Sequence, residues 1–124
     1  MYLVGAAHPL KTEAQLILER LIASRQRLVT DAEVFQEILH RYSAIGRRDA
    51  ISDAFQVLLD VVDEVFPVSK PEVLRAAEIA QLPAAFSARD ALHLAMIEIH
   101  GIQSIFTFDP DFDRWPGLKR IYSI

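Results

Sequence analysis

Hydrophobic residues recur three and four positions apart in five stretches of the chain, which is the spacing of one buried face on an α-helix. Local signals support the pattern, because Ser87 can cap the last of these helices and Gly101 follows its end. Pro71 falls in the first turn of the fourth, where the backbone tolerates proline. The predicted helices are Thr12 to about Ala23, Asp31 to about Ile45, about Arg48 to Val62, a helix capped by Ser69, and Ala91 to Ile99.

Short runs of β-branched and aromatic residues lie between these helices and predict strands. Pro67 removes a backbone donor from one run, which makes it an edge strand or a strand end. Strands that alternate with helices pair in parallel through right-handed crossovers. We therefore expect an α/β fold, a three-layer α/β/α sandwich with a short parallel sheet, as one domain over residues 1–124. The predicted strands are Arg27–Thr30, Val65–Val68, Ser104–Thr107 and Lys119–Tyr122.

The composition, with 52% hydrophobic and 24% charged residues among 124, is that of a globular protein. No apolar run approaches the roughly 20 residues that span a bilayer, and the N-terminus lacks the basic region of a signal peptide. We therefore expect a cytoplasmic protein with no membrane partner. The absence of cysteine excludes disulfide bonds and thiolate sites.

The net charge of −4 argues against a protein that coats nucleic acid by bulk electrostatics, but not against an enzyme that acts on it. Acids gathered in one site would raise the negative count while basic residues elsewhere contact phosphates. An ordinary solvated helix end is the equally good interpretation of those basic residues. They are Arg25, Arg27, Arg41, Arg47, Arg48, Lys119 and Arg120.

Acidic residues converge in the stretch from Ser87 to Asp113. Asp90 lies in the first turn of a helix, and Asp109 follows a strand directly, with Asp111 and Asp113 after it. Carboxylates from separate elements repel one another unless a cation lies between them, so we predict a site for Mg²⁺ or Mn²⁺. The simpler alternative is that Asp90 only stabilises the helix dipole and Asp109 only begins a turn.

Glu37 lies at the edge of the buried face of the second helix, where a carboxylate needs a partner. A surface ion pair with Arg41, one turn later, is the simplest assignment. The histidines His40, His93 and His100 lack ligand spacing to one another, and we interpret them as packing or surface residues. No G-x-S-x-G, Walker A, G-x-G-x-x-G or H-E-x-x-H motif is present, which leaves the enzyme classes that carry them without support.

Three blocks of the sequence, LVTDAEVFQEILHRY, FSARDALHLAMIEIHGI and IFTFDPDFDRWPGLKRI, resemble the C-terminal motifs of PIN-domain proteins, specifically the VapC toxins of toxin–antitoxin pairs. The resemblance covers almost the whole chain in the right order. It implies a parallel sheet with flanking helices and a divalent-metal-dependent endoribonuclease that cleaves RNA. It also implies a cognate VapB-like antitoxin and a homodimer.

The same resemblance assigns roles to individual positions. Glu37, Asp90 and Asp109 match the family's catalytic, metal-binding acids. Thr107 matches a hydroxyl residue that helps to orient the acids. Asp111 and Asp113 are candidate auxiliary or water-mediated ligands of the Mg²⁺ or Mn²⁺ ion.

One motif of the family has no counterpart, namely an N-terminal strand that ends in an aspartate. Met1–Val4 and His8-Pro9 match the family's segment on the C-terminal side of that aspartate, so we expect the strand and its acid to be absent. The central position of the sheet would then be filled by Met1–Val4, by a partner or by residues upstream. We accordingly expect little ribonuclease activity from this chain. The alternatives are a catalytically inactive PIN-fold module that dimerises and binds an antitoxin, and a nuclease of DNA structures.

Overall fold

A computed structural model describes residues 1–4 and 12–121. Within these ranges the chain forms one sheet of five strands in the order β3-β2-β1-β4-β5, and every neighbouring pair is parallel. The predicted parallel α/β architecture is therefore confirmed, and the strand that Pro67 follows lies at an edge. The strands are β1 Tyr2–Leu3, β2 Val29–Asp31, β3 Glu64–Phe66, β4 Ser104–Phe106 and β5 Lys119–Ile121.

Helices connect these strands and cover the sheet. The connections from β1 to β2 and from β2 to β3 run outward in one direction, whereas β3 to β4 returns across the sheet. Right-handed crossovers then place the first three helices on one face and the last two on the other. The helices are α1 Thr12–Ala23, α2 Ala32–Ala44, α3 Ile51–Val61, α4 Lys70–Ala80 and α5 Ala88–Ile99, with 3₁₀ turns at Arg48–Ala50 and Pro110–Arg114. None of the helices described is both long and apolar enough to cross a membrane.

The hydrophobic core includes residues of the sheet and of all five helices, and in α5 the residues from Ala91 to Ile97 are almost all buried. Leu94 and Met96 are fully buried, as is Ile105 of β4. The helix ends where Gly101 adopts a φ of +67°, a left-handed conformation that glycine adopts without strain. This packing holds the N-terminus of α5 firmly against the sheet.

The start of α2 differs from the prediction. The predicted helix begins at Asp31, whereas Asp31 is the N-cap of the observed helix, and its Oδ1 accepts a hydrogen bond from Val34 N at 3.0 Å. The Thr30 hydroxyl donates to Leu3 O at 2.7 Å, inside the sheet. The strand therefore continues one residue further than predicted, because its last residue serves both as strand and as cap.

Tyr2–Leu3 occupies the central position of the sheet, for which the sequence offered Met1–Val4, a partner or residues upstream. Val29 N donates to Met1 O at 2.9 Å on one side, and Val4 N donates to Phe106 O at 3.4 Å on the other. Of the three ways to fill the central position, the chain uses Met1–Val4 itself. The predicted His8-Pro9 turn and the last residue of the predicted final strand, Tyr122, lie outside the described residues.

Candidate functional site

The carboxyl ends of the strands form the edge at which a ligand is expected. The order of strands reverses between β1 and β4, and ligands of open parallel sheets bind outside the carboxyl ends at such a reversal. Asp31 ends β2 at this edge, and Thr107 follows β4. The acids predicted from the sequence meet the sheet here.

Three of the predicted acids form a cluster: Asp90, Asp109 and Asp111 each offer a carboxylate oxygen, and these oxygens lie within 4.8 Å of one another. Asp90 is positioned by the N-cap of α5, because its amide donates to Ser87 Oγ at 3.1 Å. Asp109 is positioned by the end of β4, since its amide donates to Thr107 Oγ1 at 3.2 Å. Asp111 N in turn donates to Asp109 Oδ1 at 2.9 Å.

The electrostatics of the cluster indicate unbalanced negative charge. Burial raises the pKa of Asp90, and the charge of Asp109 raises it further. Among the described residues, neither of these two carboxylates forms an ion pair with a basic side chain. Asp111 has Arg114 Nη2 at 3.9 Å, on the exposed side of the cluster. Oxygen atoms from three carboxylates match the ligands that Mg²⁺ and Mn²⁺ prefer. The residues present therefore fit a divalent ion.

A cleft of about 830 Å³ opens over the cluster. Its lining carries four acids and one cation, Arg89, so the field inside is negative. Burial and the charge of Glu37 also raise the pKa of Glu33, one of these four acids. The lining residues are Glu33, Ser87, Ala88, Arg89, Asp90, Leu92, Asp109 and Asp111.

Glu37 lies beside this cluster but belongs to a second group of side chains. Its Oε1 is 2.8 Å from His93 Nε2 and 3.3 Å from Arg89 Nε. The surface pair with Arg41 expected from the sequence is not what the structure shows. Glu37 on α2 and Asp90 on α5 are linked through Arg89 and His93, which belong to the first two turns of α5.

His93 is the buried centre of that second group, with 2% of its side chain exposed. Its Nδ1 lies 2.7 Å from Asp31 Oδ2, and the Tyr2 hydroxyl donates to the same oxygen. Burial alone would lower the pKa of His93, but the hydrogen bonds to Asp31 and Glu37 raise it to about 9. The imidazole is therefore a cation at neutral pH, held between two carboxylates.

The pKa of Asp31 follows the same balance. Burial raises it, but the hydrogen bonds with His93 and Tyr2 outweigh burial and leave the pKa below its ordinary value. Burial and the neighbouring Asp31 raise the pKa of Tyr2, so its hydroxyl stays protonated. The group of Tyr2, Asp31, His93 and Glu37 is thus a continuous hydrogen-bonded chain beneath the acidic cleft.

Asp113, the remaining predicted ligand, lies outside the metal cluster. Arg120 Nε donates to its Oδ1 at 2.8 Å and Nη2 to its Oδ2 at 3.1 Å. The hydrogen bonds from Arg120 lower the pKa of Asp113. This carboxylate is committed to an ion pair on the surface.

Asp31 and His93 were not singled out from the sequence as functional residues. Two signals could have found them. Asp31 comes at the end of a hydrophobic run that predicts a strand, as Asp109 does. His93 lies three residues after Asp90, on the same side of α5. The predicted interpretation of His93 as a packing residue holds for its burial but misses both carboxylate partners.

Comparison with known proteins gives consistent matches. The family model of the PIN domain matches residues 1–118 of this chain. Ribonuclease VapC13 of Mycobacterium tuberculosis is 50% identical over 121 residues, which are 98% of this chain and 92% of that protein. Ribonuclease VapC23 of the same species is 38% identical over 109 residues, covering 88% of this chain and 86% of the relative.

A solved structure supports the fold. The crystal structure of Mycobacterium tuberculosis VapC20, a toxin that cleaves the sarcin-ricin loop, aligns with a TM-score of 0.72. The alignment covers 95% of this chain and 96% of that one, at 21% sequence identity. With the family match over nearly the whole chain, these findings show that the chain belongs to the PIN-domain family, among its VapC proteins.

Proposed function

We propose that this protein is a divalent-metal-dependent endoribonuclease of the VapC toxin type. The observation that carries the proposal is the cluster of Asp90, Asp109 and Asp111 at the carboxyl edge of the sheet. Membership of the PIN-domain family, with relatives named ribonucleases, gives the cluster its chemical interpretation.

Each residue of the site has a defined task in this proposal. Asp90, Asp109 and Asp111 would hold Mg²⁺ or Mn²⁺, which when bound supplies Lewis-acid stabilisation of charge on a phosphodiester and an activated water. Thr107 and Ser87 fix the backbone of Asp109 and Asp90, so the carboxylates need little rearrangement. Glu37 is kept in place by His93 at the border of the cleft.

The test is cleavage of single-stranded RNA by the 124-residue protein, purified free of contaminating nucleases, with Mn²⁺ or Mg²⁺ and with chelator. Metal-dependent cleavage, even at the low rate expected from the sequence, that disappears in an Asp90→Asn/Asp109→Asn double variant supports the proposal. Calorimetry with Mn²⁺ separates metal binding from activity. A double variant whose melting temperature still rises with Mn²⁺ as much as that of the wild type would contradict the assigned metal site.

We also propose the partners that the VapC relatives suggest, a VapB-like antitoxin and a second copy of the chain. The acidic cleft attracts a cationic side chain when no metal is bound, which suits an arginine or lysine offered by an antitoxin. Helices α1 and α4 expose apolar side chains that a dimer could cover, among them Leu16, Ile22, Val73 and Leu74. A monomer in sedimentation at roughly tens of micromolar protein would contradict the dimer.

A catalytically inactive binding module is the second candidate function. It is favoured by the contacts of Glu37, whose Oε1 is already engaged by His93 and Arg89 instead of facing the cluster. The same assays distinguish the two functions. A protein that binds Mn²⁺ and an antitoxin but leaves RNA intact is the module, and one that cleaves RNA is the toxin.

A further inference from the structure

A groove adjoins the acidic cleft on the side of α2. It encloses about 310 Å³ and is lined by Glu37, His40, Arg41, Ala44, Ile45 and Arg89. Arg89 lines both the groove and the cleft, so the two adjoin at this side chain. A chain molecule that lies in the cleft can therefore extend into the groove.

The charge of the groove differs from that of the cleft. Two arginines and one histidine face a single acid, Glu37, which already accepts hydrogen bonds from another part of the protein. Arg41 is exposed on α2 and forms no ion pair within the described part of the chain, and the same holds for His40. Arg41 and His40 thus offer the groove hydrogen-bond donors that have no acidic partner among the described residues.

Three of the other basic residues that could contact phosphates are less available. Arg27 pairs with Glu64 at 2.6 Å, Arg47 with Asp49 at 3.2 Å, and Arg120 with Asp113 at 2.8 Å. An arginine that is already paired gains less from a phosphate, because the existing contact must be given up. Arg41 stands out from this set by its position next to the cleft.

A polyanionic RNA strand needs a positively charged surface to bind this protein. The chain carries a net charge of −4, and the cleft itself is lined mainly by acids, so the cleft alone repels the phosphates that flank the reacting one. The groove runs along α2 from Glu37 to Ile45, which is about 12 Å at the rise of an α-helix. That length corresponds to a few nucleotides of one strand.

We propose that this groove binds the phosphodiester backbone of the RNA strand next to the position of cleavage, with Arg41 and His40 contacting its phosphates. The inference rests on the proposed ribonuclease function and adds a binding surface to it. Arg41 and His40 lie outside the carboxylate cluster, so they act on substrate binding and leave metal binding unchanged.

The experiment measures binding of a labelled single-stranded RNA by fluorescence anisotropy over a range of salt concentrations. An Asp109→Asn background prevents cleavage during the measurement. Arg41→Gln is compared with Arg20→Gln, which removes the same charge from an exposed position on α1 outside both linings. Calorimetry with Mn²⁺, in the otherwise wild-type protein, checks that the metal site is intact.

Arg41→Gln is expected to raise the dissociation constant for RNA about fivefold, as for loss of one exposed charge-assisted contact. It should also reduce the slope of log affinity against log salt by about 0.7, the value for one phosphate of a single strand. Arg20→Gln should change neither quantity by a comparable amount, and Mn²⁺ affinity should stay at the wild-type value for both variants.

Equal RNA affinity of Arg41→Gln and the parent, or an equal loss in Arg20→Gln, would overturn the proposal. The failure of the groove and the failure of the ribonuclease function remain distinguishable. If the wild type cleaves RNA and Arg41→Gln binds it normally, only the groove is refuted. If Arg41→Gln weakens RNA binding but the wild type does not cleave RNA, the RNA-binding groove is supported and the ribonuclease function is refuted.

Discussion

The buried His93 predicts an unusual dependence of stability on pH. In the folded protein its pKa is raised from 6.5 to about 9 by Asp31 and Glu37, against the opposing effect of burial. Each tenfold change in proton affinity corresponds to about 1.4 kcal/mol, so the full effect is about 3 kcal/mol of unfolding free energy. For a protein whose total stability is about 5 to 15 kcal/mol, that is a large share.

The sign depends on where the proton is bound. Between pH 6.5 and about 9 the folded protein keeps the proton on His93, whereas the unfolded chain has released it. The stabilisation is therefore complete below pH 6.5 and is lost as the pH rises to about 9. The wild-type free energy of unfolding should fall by about 3 kcal/mol over this range, apart from other groups that titrate there.

The perturbation is His93→Gln, which removes the charge and keeps a polar side chain. At pH 6 the variant should be less stable by about 3 to 5 kcal/mol, because the buried Asp31 carboxylate then loses the imidazolium that lies between it and Glu37. The difference between the two proteins should shrink by about 3 kcal/mol towards pH 9. The pKa of the Met1 amino group is lowered by burial, so this group contributes with the opposite sign, but it is common to both proteins and cancels.

The assay is urea denaturation of both proteins at small pH steps between about 6 and about 9.5, followed by circular dichroism. His40→Gln is the matched control, because it makes the same substitution at an exposed position with no hydrogen bond to either carboxylate. Parallel stability curves for the wild type and His93→Gln would refute the reasoning. Such a result would mean that His93 has the same pKa in the folded protein as in the unfolded chain.

The remaining predictions concern the metal cluster and the helix that carries it. Asp111→Asn should weaken Mn²⁺ binding at least about tenfold in calorimetry. Asp113→Asn should leave Mn²⁺ binding almost unchanged, because the Asp113 carboxylate is paired with Arg120. An equal loss of affinity in both variants would contradict the cluster. Asp90→Asn should raise the melting temperature of the metal-free protein, because the raised pKa of Asp90 indicates a carboxylate that destabilises the fold when it is charged. The variant should also lose much of the increase in melting temperature that Mn²⁺ gives the wild type. Ser87→Ala removes the N-cap of α5 and should cost about 1 kcal/mol in urea denaturation; an unchanged midpoint would show that the cap is dispensable.

Several parts of the fold could be predicted from the sequence because they depend on local spacing. The apolar residues of α1 repeat at helical intervals, and its predicted bounds agree with the observed Thr12–Ala23. Ser87 caps α5 because a serine oxygen reaches the amide three residues later in any helix that begins there. Pro67 marked an edge strand for an equally local reason, since proline cannot donate to a neighbour.

The partners of the site were decided by tertiary structure. Asp31 and His93 are 62 residues apart, and only the packing of α5 beside β2 brings the imidazole against that carboxylate. Glu37 has Arg41 one turn away on its own helix, yet it pairs with His93 and Arg89 across the interface, where burial strengthens the interaction.

The position of the central strand, β1, also depends on tertiary structure. Met1–Val4 is only a short apolar run in the sequence, and nothing in its residues indicates that it lies between β2 and β4. Its place depends on the unpaired backbone groups that those two strands would otherwise leave in the middle of the sheet, each costing about 1 to 3 kcal/mol when buried. The sequence alone determined the five helices, the other four strands and that acids come after the strand ends. The long-range pairing, which no local pattern encodes, determined which of those acids meet.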